Sequence, residues 1–200
     1  MKQKISIKRI LIDLISIQPQ IKEYYKNDDT YKEVVDFICA KDYFNDDDLP
    51  YPTLKEVEVG TGLSSQKVRK LLKEMYEDLF DYETGHIFSF PSIEIYVNAE
   101  YLKNWASFRC DNLQYIPREG ETVKFSFLKA KINIEYFYVH KVEHTFHCNK
   151  QVIDIWLKGG SYNSYWSFRL DKALATGEIG FGELHSLHDF EIEERLGIRH

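Results

Sequence analysis

The chain has 200 residues, 44% apolar and 29% charged, with 32 acidic against 26 basic side chains and a net charge of −6. Those fractions fit a globular protein of one or two domains with room for a buried core, and they exclude a disordered or membrane-embedded chain. Cys39, Cys110 and Cys148 are an odd set without paired spacing, which points to reduced thiols in a cytoplasmic protein, not to a disulfide framework.

The first twenty residues, MKQKISIKRILIDLISIQPQ, place basic residues before an apolar stretch, as a signal peptide does. Asp13 interrupts that stretch, no small-residue cleavage site follows, and Leu11, Leu14 and Ile15 recur at helical spacing, so an amphipathic first helix is expected. No run is long enough to span a bilayer, and no membrane partner is expected. Pro19 and the polar stretch Asn27-Asp28-Asp29 predict a connection. A second helix is expected from Thr30, with Glu33 completing a capping box and Val34, Val35, Phe37, Ile38 and Cys39 on its buried side. The same T-x-x-E pattern returns at Thr53 and Glu56, after Pro50 and Pro52 have ended the acidic loop Asn45-Asp46-Asp47-Asp48.

The helix from Thr53 must be short, because Gly60 and Gly62 follow closely; Gly62 suits the left-handed conformation that ends a helix and turns the chain. Leu63 then enters the core and Ser64 caps a new helix over residues 64–79, with Val68, Leu71, Leu72, Met75 and Leu79 repeating at three and four. Ser65, Gln66, Lys67, Arg69, Lys70 and Lys73 are left on its outer side, a locally basic face in an acidic chain. Net charge governs solubility and steering and does not decide the sign of one face.

Residues 53–79 resemble the helix-turn-helix of winged-helix transcription regulators and sigma-factor-like domains, with Gly62 as the turn glycine, Leu63 as the core residue after it, and Val68 and Leu71 as packing positions of the recognition helix. Four residues before the turn glycine that family usually has Ala, and this chain has Glu58, so Gly60 is expected to shift the register and Val59 to take the packing role. The resemblance extends over residues 30–98, since 86–90 and 93–97 read as the two strands of a wing. It implies a regulator that binds double-stranded DNA and dimerises, with Gln66 and Arg69 at base edges, Ser65 beside them, and Lys67, Lys70 and Lys73 on phosphates.

A linker is expected over 98–110. Beyond it, a turn at 116–121 leads into candidate strands at 122–128, 136–144, 151–158 and 164–170, spaced as in a small SH3-like or OB-like barrel. Helices are expected at 171–176, stopped by Gly177, and at 188–196. In the aromatic run from Tyr162 to Arg169, strand alternation would send Trp166 and Phe168 into the barrel core. The fold class is thus α+β: a helical winged helix-turn-helix domain over 1–100, then a small antiparallel β-barrel-like domain over 101–200 that could hold a protein partner.

The remaining constellations carry little chemistry. His144 and His147 are three apart beside Cys148, and His185 and His188 repeat the spacing beside Asp189, but nothing makes their side chains converge, and no metal site is expected. There is no G-x-S-x-G elbow, and Gly159-Gly160, Gly180 and Gly182 lack the lysine of a phosphate loop. No catalytic residue and no cofactor is assigned.

Overall fold

The computed structural model describes residues 5–83, 85–187 and 189–198, leaving aside the side chains of His185 and Asp189. The chain forms two compact units, and neither is one continuous segment. The first is Met1–Glu94 with His144–Val152; the second is Ile95–Glu143 with Ile153–His200.

In the first unit, α1 (Ile7–Ile15) buries Leu11, Leu14 and Ile15, the stripe expected from the sequence, and Ile10 beside them. Pro19 does not make a connection. It occupies the first turn of α2 (Gln18–Tyr24), where its missing N–H costs nothing. Helix α3 (Lys32–Cys39) begins two residues after Thr30 and lacks the expected capping box, because the Asp28 carboxylate already accepts from the Thr30 backbone N–H at 2.9 Å. An Asx turn has replaced the cap. Two further helices follow, α4 (Leu54–Thr61) and α5 (Ser65–Leu79), and all five contribute to one apolar cluster centred on Leu14, Ile21, Ile38, Val57, Val68, Leu72 and Met75.

After α5 the wing is not seen. Residues 86–90 form no strand. The strand that follows, β1 (Ser92–Tyr101), pairs instead with β2 (Asn104–Cys110), Ala99 opposite Ala106. The expected linker is therefore this β1–β2 hairpin, turned through Leu102 and Lys103.

The sheet is completed by β3 (Thr122–Lys124), β4 (Tyr136–His147) and β5 (Lys150–Gly159), in the order β2-β1-β5-β4-β3. Glu94 pairs with Lys150 and Glu100 with Lys158, so β1 and β5 advance together and run parallel, while β1–β2 and β3–β4 are antiparallel. The sheet is open, with β2 and β3 as its edges, and it does not close into the expected barrel. Its strand β3 is only three residues long, since residues 126–128 leave it as a 3-10 turn before α6 (Lys129–Ile132). Val97, Ala99, Ala106, Phe137, Val139, Ile153, Ile155 and Leu157 face one side, against Leu128 and Ile132.

The segment 164–170 is a helix, not a strand. Asn163 accepts from the Trp166 backbone N–H at 3.1 Å and starts α7 (Ser164–Thr176), which ends at Gly177 as expected. Trp166, Leu170, Ala173 and Leu174, at helical spacing, pack with residues of α8 (Phe181–Ser186) and α9 (Asp189–Arg195) in a separate cluster. Phe168, on the other side, is exposed and fills no core. Among the described residues no helix is long and apolar enough to cross a membrane.

Candidate nucleic-acid interface

The two helices at residues 54–79 are set by local chemistry. Thr53 Oγ1 accepts from the Glu56 backbone N–H at 3.3 Å, while the Thr53 backbone N–H and hydroxyl donate to Glu56 Oε2 at 2.6 and 2.8 Å, and these last two bonds hold the Glu56 carboxyl below its usual range. At the other end of α4, Thr61 Oγ1 donates to the Val57 carbonyl at 2.7 Å and accepts from the Leu63 N–H. Gly62 sits between them at φ +68°, a conformation that costs other residues roughly 1 kcal/mol or more. Ser64 Oγ then accepts from the Lys67 N–H at 3.3 Å and opens α5.

The close-packing position is Gly60. A Cβ there would lie 2.4 Å from the Phe37 ring of α3, so α4 approaches α3 where only glycine fits. Val59, expected to pack, is 76% exposed, and Val57 is the fully buried residue of α4. That contact was not legible in advance; the paired glycines hinted at a tight approach but not at its partner.

At the far end of α5 the Tyr25 hydroxyl donates to the Met75 carbonyl at 3.0 Å, and the Tyr31 hydroxyl donates to Asp78 Oδ2 at 3.3 Å. Burial, reinforced by Asp78, pushes the Tyr31 phenol up to about 12. Val68, Leu71, Leu72, Met75 and Leu79 are buried as the stripe required, so the rotation of α5 about its axis is fixed.

That rotation presents Ser65, Gln66, Lys67, Arg69, Lys70 and Lys73 together to solvent. Arg69 Nε donates to Ser65 Oγ at 3.3 Å, one turn earlier on the helix. Lys70 and Lys73 make i,i+4 pairs with Glu74 and Glu77 at 3.6 and 3.5 Å, loose and exposed, of the kind worth a few tenths of a kcal/mol. Among the described residues no ion pair joins this face to Asp46, Asp47 or Asp48. The acidic loop is folded on itself instead: Asp46 Oδ1 accepts from the Asp48 N–H, and Asp42 binds Asn45.

The order of charges along α5 is a signal that sequence reading missed. All four cations stand before Glu74, the anions Glu74, Glu77 and Asp78 come after them, no acid occupies the first turn and no base the last. The helix dipole favours the opposite arrangement. The N-terminal half of α5 therefore gathers positive side chains where unpaired backbone N–H groups already create positive potential, and an anion is the partner that relieves both.

His144 and His147 are engaged apart from each other. His144 Nδ1 meets Gln151 Nε2 at 3.0 Å, whereas His147 stacks on Phe44 with ring centroids 4.5 Å apart. The side chain of His185 and all of His188 lie outside the described residues, and among those described no group of three ligating side chains occurs. In comparison with known proteins, no family, no curated protein and no solved structure matches the chain.

Proposed function

We propose that the protein binds double-stranded DNA through α5 and acts as a transcriptional regulator. The observation that carries this reading is the charge order of α5, three exposed cations in its first two turns with Lys73 next, no acid in its first turn and every acid after Lys73. A helix kept only for packing would gain by the reverse order; a helix that meets phosphates gains by this one. The capped turn before it supports the same reading, since it delivers the N-terminal half of α5 outward as major-groove readers require. In this proposal Gln66 and Arg69 reach base edges, with Ser65 steadying Arg69, while Lys67, Lys70 and Lys73 neutralise phosphates. No wing is part of it.

The test is fluorescence anisotropy of a labelled random-sequence duplex titrated across a salt series, with Arg69→Glu, Lys70→Glu as the comparison protein. Affinity that falls steeply with salt in the wild type, and a flatter, weaker dependence in the variant, are the expected results. Absence of binding at low salt by a folded wild type refutes the proposal.

A further inference from the structure

The second unit carries a feature that core packing does not explain. Strand β1 turns Val97 and Ala99 to the core and leaves Asn98 and Glu100 on the opposite face; β5 likewise buries Ile155 and Leu157 and leaves Trp156 and Lys158. In β4 the buried positions change parity, from Phe137 and Val139 to Val142, so His140 and Lys141 both fall on the outer side. A break of that kind in the alternation is what a β-bulge produces, and it turns two neighbouring side chains to one face. The outer face holds a trough of about 540 Å³, within the range of small-ligand sites. Trp105 and Trp156 line it, 68% and 43% exposed, with Asn98, Glu100, His140 and Glu143.

We infer that this trough binds a neutral oligosaccharide of two or three rings. Pyranose rings offer an apolar C–H face to an indole and a rim of hydroxyls to carboxylates and amides, and the trough supplies both kinds of group. Strand order separates β2, which carries Trp105, from β5, which carries Trp156, by β1 alone, so the two backbones stand roughly 10 Å apart. At that separation a short chain of rings can reach both indoles, with Asn98 and Glu100 between them. The polar groups are already held in place. Glu143 accepts from Lys141 Nζ at 2.6 Å and from the Trp156 side chain, and Asn98 Oδ1 accepts from Ser107 Oγ.

Charge argues against a nucleic-acid strand, the other polymer that stacks on aromatic residues. Among the groups lining the trough Glu100 and Glu143 balance Lys141 and Lys158, with Lys158 3.9 Å from Glu100; Lys131, its Nζ 5.8 Å from the Trp105 ring centroid, adds a single cation at the edge, and strands of phosphates need a larger positive excess. The inference stands apart from the proposal for α5, and neither depends on the other.

The experiment is a titration of the full chain with cellotriose, maltotriose and chitotriose in turn, following tryptophan emission and heat. A saturable change with at least one of them is expected. Affinity should fall by about tenfold or more in Trp105→Ala and Trp156→Ala and persist in Trp166→Phe, whose ring lies in the separate helical cluster. Trp105 is exposed on an edge strand, so its variant keeps the fold, which circular dichroism checks. No response to any of the three sugars up to about 10 mM overturns the inference, as does binding that survives both tryptophan variants. A response to a short oligo-dT strand alone also overturns it and assigns the face to single-stranded nucleic acid.

Discussion

Gln20 and Cys148, 128 positions apart in the chain, are joined by a hydrogen bond of 2.9 Å from the Gln20 amide to the Cys148 carbonyl. The other end of the same side chain is equally committed: Gln20 Oε1 accepts from the Ser89 N–H at 3.1 Å and from His86 Nε2 at 2.9 Å. Because the amide oxygen can only accept, His86 carries its proton on Nε2. One buried glutamine thus ties α2, the stretch after α5 and the β4–β5 turn together within the first unit.

Replacing Gln20 with Leu keeps the volume and removes all three partners. The buried Cys148 carbonyl would be left unpaired, at about 1–3 kcal/mol, whereas Ser89 is exposed and its N–H can turn to water. A loss of about 1–3 kcal/mol in urea unfolding is expected, with Gln20→Glu no better, since it turns the donor to Cys148 into an acceptor.

A second prediction concerns pH. His147 is stacked on Phe44, and its Nδ1 is buried without a partner. Burial, with a smaller push from Lys150, lowers its pKa below the ordinary 6.5, against weaker opposition from Glu94 and Asp42. The unfolded chain then binds more protons than the folded one, so this contribution to stability is full above pH 6.5 and is lost as pH falls through the lower folded value. Burial shifts His86 the same way. His147→Phe, which keeps a ring against Phe44, should narrow the difference between urea midpoints measured at neutral and at mildly acidic pH.

Gly62→Ala should cost about 1 kcal/mol, the strain of a left-handed residue with a Cβ. Gly62→Asn should cost less, because asparagine tolerates that region. No neighbour lies near the added Cβ, so backbone strain is the whole effect, and thermal unfolding of the two variants separates it from crowding.

On DNA the basic face should divide by role. Lys67→Ala is expected to weaken binding to all sequences and to lower the salt slope by about one, as the loss of one phosphate contact does. Arg69→Ala is expected to relax preference at one base pair, at about 1–3 kcal/mol. Anisotropy with a selected duplex and its point variants distinguishes the two.

The helical hairpin was legible because its determinants are local. Thr53 with Glu56, Gly62, Ser64 and the three-four stripe of α5 act within a few residues of one another. The wing was not, because His86 to Phe90 alternates as a strand does while its backbone is claimed by distant Gln20. The strand expected at 164–170 failed on competition between aromatic content and one cap: Tyr165, Trp166 and Phe168 favour a sheet, but Asn163 closes a helical turn and Leu170, Ala173 and Leu174 reward it. The barrel failed on length, for a three-residue β3 leaves nothing to pair with β2. The basic face was legible from the helical stripe opposite it, and the sense of its charge order was equally legible in the helix expected over 64–79.

The Cys148 turn also sets the order in which the chain can fold. The Cys148 N–H donates to the Ser16 carbonyl, and its own carbonyl receives Gln20, so the helical unit takes its last pieces from residues 144–152. During synthesis the first 94 residues leave the ribosome with those groups unmet, and the chain through the end of β4 must follow before they are closed. The helices that precede the sheet in sequence wait for the turn between its last two strands in chain order, which makes a fragment ending at residue 94 a poor substitute for the whole chain.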